Sequence, residues 1–443
     1  MLQNRVFNNT KWIIACKVIQ SLIQLVVGMI TARYLGPSNY GLISYAASVV
    51  SFAAPVMQLG LNSTVVQEYV NRSDEEGTVA GTAMIMNMIS GVACMIGVAS
   101  FVCIANRGEK DTIIVCVLYS LGIFFRAAEM LQYWFQSKLM SRYASLAVLC
   151  AYVAVSVYKI YLLITGKSVY WFALSHAVEY GVTGILIWIV YRKVSDKKLR
   201  FSWKLAREMF QKSKYYILAS LMVSVFQNTD HIMLKMMTDN AENGYYTTAI
   251  TCATVTQFVF LALIDSARPV ILEKYQQSRE AFERNVSGLY TIVIYATALQ
   301  SVCFTIFAKL MVYVLYGKSY FPAIPVLQIL AWQVPFAFMG SIRNVWILAE
   351  NKHDILWVIN LCGVLANILL NALMIPMWGA CGAACASMLT QAVTNFVVGF
   401  FMKPIRPNNR LLIRGLHPRT LLEVCRYCAK ELSGGMRSRK KEN

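Results

Sequence analysis

Charge is what this sequence has least of. Only 14% of its 443 residues are Asp, Glu, Lys or Arg and 57% are apolar, whereas soluble domains carry ~25% charged residues. That imbalance argues against an ordinary soluble protein and makes the bilayer the expected solvent. Period-two alternation is also missing. The apolar stretches run unbroken for about 20 residues, the length of a spanning helix, which argues against a transmembrane barrel. There is no metal-spaced His cluster, no nucleophile elbow and no Gly loop with Lys to cradle a phosphate, so the usual signatures of an enzyme are absent.

A disulfide framework is lacking too. Of the twelve cysteines, Cys94, Cys103, Cys150, Cys303 and Cys362 lie inside apolar stretches, where a free thiol behaves as a small hydrophobe. Cys425 and Cys428 flank Arg426 and Tyr427, but only His417 lies near, too few ligands for zinc. The N-terminus has no A-x-A-like cleavage site after a short apolar region, so the run from Trp12 reads as a first spanning helix. A net charge of +19 raises the question of nucleic acid. The cations nevertheless follow the positive-inside pattern of membrane proteins, and no nucleic-acid partner is expected.

What is present is a series of about a dozen apolar segments near 12–30, 42–65, 83–105, 112–134, 143–164, 169–191, 214–238, 245–265, 288–315, 323–348, 355–375 and 379–402. Odd-numbered connections hold few cations, namely Arg33, Arg107, Lys110, Lys167 and Lys318. Even-numbered ones hold many, chiefly Arg192, Lys193, Lys197, Lys198, Arg200, Lys204, Arg207, Lys212 and Lys214, then Arg268, Lys274, Arg279 and Arg284. Both termini are therefore expected in the cytoplasm. The organisation expected is an all-α integral membrane protein: a six-helix lobe over 1–191, a basic cytoplasmic linker at 192–213, a second six-helix lobe over 214–402 and a basic tail at 403–443. Six helices per lobe make the repeat parallel, with its axis along the membrane normal. The tail mixes Leu411, Leu412, Ile413 and Leu416 with cations, and two readings stay open, an interfacial amphipathic helix or a solvated basic segment.

The decapeptide Ala32-Arg33-Tyr34-Leu35-Gly36-Pro37-Ser38-Asn39-Tyr40-Gly41 resembles the A-R-x-L-G-P-x-x-Y-G signature of Wzx-type oligosaccharide flippases, in the multidrug/oligosaccharidyl-lipid/polysaccharide exporter (MOP) superfamily. Further matches follow in order: Asp230-His231-Ile232-Met233-Leu234 with Asn243-Gly244-Tyr245-Tyr246, then Tyr316-Gly317-Lys318-Ser319-Tyr320 with Pro322 and Pro325, then Asn367, Asn371, Ile375-Pro376 and Gly379-Ala380-Cys381-Gly382-Ala383-Ala384. They cover nearly all of residues 5–402. In physical terms Gly36-Pro37 and Tyr40-Gly41 are turn chemistry. The small residues at 379–384 let helix backbones approach closely.

A charge at the bilayer centre costs at least ~2.5–3.5 kcal/mol, so each one needs a partner, water or a purpose. Lys17 shares a helical stripe with Gln20 and Gln24 that is expected to face a cavity. Arg126 and Glu129, three apart, either neutralise each other or contact a ligand. Lys17 and Arg126 are the preferred ligands for an anionic diphosphate, with Gln20, Gln24 and Glu129 beside them. Asp230, with Glu179 and Lys235, is a candidate for coupling or gating, a fixed salt bridge being the competing reading. Lys159, Lys235 and Lys309 have stems long enough to snorkel, and Arg343 lies near the inner end of its helix. Tyr133, Trp134, Trp171 and Phe172 stand at expected helix ends and read as interface anchors.

The resemblance implies a flippase in the bacterial cytoplasmic membrane that carries undecaprenyl-diphosphate-linked oligosaccharide to the outer leaflet. Its implied partners are a polysaccharide polymerase and glycosyltransferases. No cofactor is expected, and the coupling ion, proton or sodium, is unassigned. The alternative is a MATE-type cation or drug antiporter, which wants an acidic cavity. Lys17, Arg126 and Lys159 against Glu129 and Glu179 lean basic.

Overall fold

The computed structural model describes residues 2–423 and 426, with the side chains of 2–11, 63 and 219 outside the description. Cys425, Cys428 and the cations from Lys430 to Lys441 also lie outside the described residues. The described chain is helical almost throughout. Its helices are α1 (Leu2–Met57), α2 (Leu61–Asn71), α3 (Glu76–Ala105), α4 (Lys110–Phe125), α5 (Gln132–Ser137), α6 (Ser141–Ile164), α7 (Val169–Val194) and α8 (Trp203–Met237). They continue with α9 (Asn240–Thr254), α10 (Gln257–Gln277), α11 (Arg279–Tyr316), α12 (Ala323–Ala349), α13 (Leu356–Ala392), α14 (Val398–Phe401) and α15 (Arg406–Leu416).

Among the described residues eight helical stretches are long and apolar enough to cross a membrane, or up to nine if the bent pair α9–α10 is one span. Two of these stretches are broken. Gly36 in α1 and Gly379 in α13 leave helical geometry, with φ of 71° and 54°, a conformation glycine adopts without the Cβ penalty. Pro37 and Pro376 stand beside or near these breaks and remove a backbone donor. The chain is a multi-pass helical membrane protein.

By internal packing, Met1–Tyr245 with Leu315–Ser319 form one compact unit, and Tyr246–Val314 with Tyr320–Asn443 form another. In the first unit one core joins α2, α3, α6, α7 and the start of α8 around Leu61, Val79, Leu131, Phe135 and Tyr191. A second joins α1, α3 and α4 around Tyr45, Val49, Val102 and Cys116. In the second unit Tyr290, Phe338, Ile342 and Trp346 centre the core, closed by Ile405, Leu411 and Leu412. The proximal tail is therefore a docked helix, α15. Its apolar face is buried and Thr291 Oγ1 donates to the Gly415 carbonyl at 2.9 Å. The solvated reading does not hold for this stretch.

Several local expectations change. The linker is shorter than 192–213: α7 runs to Val194, and α8 begins at Trp203, capped by the Ser202 hydroxyl, which accepts from the Leu205 amide at 3.4 Å. The intervening strand of chain is tied down, since the Arg200 amide donates to the Gly77 carbonyl at 3.1 Å. Trp134 and Phe172 are core residues, 5% and 3% exposed, and not interface anchors. Trp134 Nε1 donates to Glu76 Oε2 at 2.7 Å, and the same carboxylate is paired with Lys138. An indole that satisfies a buried carboxylate contributes more inside than at the interface, where water would serve. Trp171 is exposed.

Candidate functional site

Four of the intramembrane charges of the first unit gather where α4 gives way to a 3₁₀ turn, Arg126–Leu131. Tightening the helix there brings residues three apart into register. Arg126 Nε donates to Glu129 Oε2 at 3.3 Å, and the guanidinium carbon stands 5.0 Å from the Tyr180 ring centroid. Helix α7 supplies His176, Glu179 and Tyr180, one face at spacings of three and four. His176 stacks on Tyr119 with centroids 3.7 Å apart and meets Tyr180 edge-on at 4.8 Å. Its Nδ1 lies 3.1 Å from the Tyr119 carbonyl. Lys159 of α6 pairs with Glu179 at 3.6 Å. Each of the four charged side chains is 17–22% exposed.

The cluster thus holds two cations and two carboxylates and is formally balanced. Its geometry is loose: charge-assisted N–H···O bonds settle near ~2.7–2.9 Å, and both pairs are longer. Five guanidinium N–H groups meet one carboxylate, so Arg126 has donors to spare. Such a cluster can take an anionic ligand on its cations when the displaced carboxylate is protonated, or serve a cation through its carboxylates.

The predicted residues are only partly brought together. Arg126, Glu129 and Glu179 share this cluster. Lys17 and Gln24 are exposed and Gln20 is half-buried on α1, and among the described residues none is in ion-pair or hydrogen-bond reach of the cluster. Lys159 does not snorkel; Glu179 neutralises it. Tyr119, His176 and Tyr180 were not anticipated. The signal was available in α7, where Phe172, His176, Glu179 and Tyr180 fall on one helical stripe.

Lys235 is 6% exposed and belongs to a second constellation. Its ammonium donates to both oxygens of Glu109, at 3.0 and 2.8 Å, joining the end of α8 to the start of α4. Thr112 Oγ1 donates to the same carboxylate at 2.7 Å. These donors, Lys235 first, hold the Glu109 carboxyl below the usual glutamate range. A depressed carboxyl contributes stability above its unfolded value of ~4.3 and loses it as pH falls through the folded value. Thermal midpoints in detergent are expected to be flat at neutral pH and to fall below about pH 4.3. Glu109→Gln should remove that acid component and lower the neutral-pH midpoint; an unchanged acid limb in the variant would assign it elsewhere.

The motif residues form a third constellation. His231 Nδ1 stands 2.8 Å from Asn243 Oδ1, and Asn243 Nδ2 donates to the Gly41 carbonyl at 2.7 Å. Asp230, next in the chain, is 7% exposed. Pro37 and Gly41 lie directly against Gly244 and the Asn240 carbonyl, backbone on backbone. Arg33 reaches Gly317, its Nε 3.6 Å from where a Cβ would stand. Tyr40 packs beside Leu162 and Phe172, and Tyr245 is half-buried. In the second unit Arg343, near the end of α12, is 5% exposed and donates to the Thr394 carbonyl at 2.8 Å. That carbonyl sits in a π-helical bulge, Val393–Val397, where the widened turn frees it from the ordinary ladder. Among the described residues no group of three or more His, Cys, Asp or Glu is placed to hold a metal ion.

Residues 6–274 match the model of a family described as polysaccharide biosynthesis protein. The chain is 22% identical over 231 residues to a protein of Haloferax volcanii described as probable low-salt glycan biosynthesis flippase Agl15, covering 52% of this chain and 49% of the relative. It is 22% identical over 202 residues to an uncharacterized membrane protein of Methanocaldococcus jannaschii, covering 45% of this chain and 40% of the relative. These matches span about half or less of the relatives' lengths. Among solved structures, the inward closed lipid II flippase MurJ superposes with a TM-score of 0.71 at 14% identity, over 91% of this chain and 90% of that one. An inward-facing multidrug resistance MATE family transporter of the MOP superfamily gives 0.70 at 15% identity, over 89% and 96%. On the fold that MATE and MurJ share, this chain belongs to the polysaccharide biosynthesis protein family.

Proposed function

We propose that this protein is a flippase, a transporter and not an enzyme. It carries the head group of an undecaprenyl-diphosphate-linked oligosaccharide from the inner to the outer leaflet by alternating access. The observation that carries this reading is the loosely paired cluster of Arg126 and Glu129 with Lys159 and Glu179. A diphosphate is drawn to Arg126 by a bidentate, charge-assisted contact and to the Lys159 ammonium as a point charge, and the carboxylates it displaces must take up protons for the site to stay close to neutral. Membrane burial makes an uncompensated charge costly in either state, so binding of the anion is tied to protonation of the carboxylates it displaces. The family match and the glycan flippase relative support the substrate class.

In this reading the broken stretches at Gly36 and Gly379 each count as two spans, and α8 and the bent α9–α10 pair as one each, which makes twelve. Six helices per lobe with both termini inside follow, with 1–191 and 214–402 as the repeats in a bacterial cytoplasmic membrane. A polymerase and glycosyltransferases would act on either side of the step. A proton or sodium ion would supply the coupling.

The test uses the full chain in proteoliposomes and a fluorescent polyprenyl-diphosphate oligosaccharide, read by quencher access to each leaflet. Wild type is expected to move the probe, and Lys17→Ala to move it several-fold more slowly if the α1 stripe shares the head group. No movement by wild type, with ion-driven efflux of organic cations instead, would make the protein an antiporter. The balanced charge of the cluster is what keeps that second reading standing.

A further inference from the structure

Away from the charged cluster, an apolar cleft of about 630 Å³ opens in the first unit between α1, α3 and α8. Phe52 and Val56 of α1, Cys94 and Phe101 of α3, and Met233 and Met236 of α8 line it. Phe52, Val56, Phe101 and Met236 are exposed at its rim. Its polar side chains are spoken for: Ser90 Oγ donates to the Val56 carbonyl at 3.0 Å and Thr229 Oγ1 to the Val225 carbonyl at 2.6 Å. Lined by apolar side chains with no free polar partner, the cleft favours a hydrocarbon guest over a polar one.

We propose that the cleft seats the isoprenoid tail of the lipid carrier while the protein holds the attached head group. The inference rests on the flippase reading. Transfer of a chain from bilayer to an apolar cleft gains nothing from the hydrophobic effect, because lipid tails are as apolar as the lining. Bulk acyl chains therefore have no reason to stay. A tail joined to a head group already bound to the same protein is different, because the tether raises its local concentration by orders of magnitude. The two methionines favour such a guest, since their unbranched, polarizable side chains adapt to a methyl-branched chain. One end of the cleft adjoins polar structure as an amphiphile requires: Met236 follows Lys235, the partner of Glu109.

Gly97 offers the test. It lines the cleft, and a Cβ there would meet nothing within 4 Å, so Gly97→Leu fills the space without moving a helix. Full-length protein in phosphatidylglycerol vesicles is photolysed with one of two probes, a polyprenyl diphosphate disaccharide bearing a diazirine in its tail or a phosphatidylglycerol bearing one in its acyl chain. The prenyl probe is expected to label residues 90–101 and 229–236, and Gly97→Leu to reduce that labelling about tenfold or more with an unchanged thermal midpoint. Equal labelling by the acyl probe, or full prenyl labelling of Gly97→Leu, would overturn the proposal. Head-group translocation without prenyl label in the cleft would remove the cleft's role and leave the flippase standing. Prenyl label without translocation would do the reverse.

Discussion

Gly244→Ala is expected to yield little or no folded protein, and Gly41→Ala the same. A Cβ on Gly244 would stand 2.1 Å from the Pro37 carbonyl oxygen, and one on Gly41 would stand 1.8 Å from the Asn240 carbonyl oxygen and 2.6 Å from the Gly244 amide. Each obstacle is backbone, so no side chain can rotate away. The segments must separate instead, and the Asn243 Nδ2 bond to the Gly41 carbonyl separates with them. Overpacking a core costs ~1–3 kcal/mol when side chains yield. A backbone clash at two facing glycines should reach or exceed about 3 kcal/mol, a large share of a typical ~5–15 kcal/mol. The control is Gly28→Ala, where a Cβ meets nothing within 4 Å and the alanine favours helix by ~0.5–1 kcal/mol. Monodisperse yield and thermal midpoint in detergent decide it. Gly244→Ala as stable as Gly28→Ala would show that the two turns do not touch.

Arg126 and Glu129 should give strongly non-additive results. Arg126→Ala leaves Glu129 at membrane depth without its cation, and breaking a fully buried pair from one side costs ~3–5 kcal/mol. Both side chains keep some exposure, 17% and 19%, so the loss here should be nearer ~1–2 kcal/mol after allowance for hydration. The double variant Arg126→Ala/Glu129→Ala removes both charges and should recover most of that stability. Transport should divide differently. If Arg126 binds the diphosphate, the double variant stays stable and yet moves the probe at least about tenfold more slowly, because a charge-assisted bidentate contact is lost. Recovery of transport along with stability would make the pair purely structural.

The resemblance was legible because its motifs are turn and packing chemistry written in consecutive residues. Leu35-Gly36-Pro37 announces a break, and the break is there. The charged site was legible only as a list. Arg126 with Glu129 could be paired from their spacing, since three residues of helix fix that neighbour. Lys159 with Glu179 could not, and neither could the ring of Tyr119, His176 and Tyr180, because these meet across three helices whose rotations the sequence does not state.

By itself the sequence determined the solvent of this protein, its helical class and the Gly36-Pro37 break in its first apolar stretch. Hydropathy and backbone freedom are properties of a residue and its nearest neighbours, so they survive without coordinates. Tertiary structure alone decided which charge faces which. It set Lys235 on Glu109, 126 residues away, and Asn243 on Gly41, 202 residues away. It drew Trp134 into the core and buried Arg343 against a π-bulge. In hydrocarbon each polar group must find a partner or bear the cost of having none. Which partner it finds depends on the rotation and register of helices far apart in the chain.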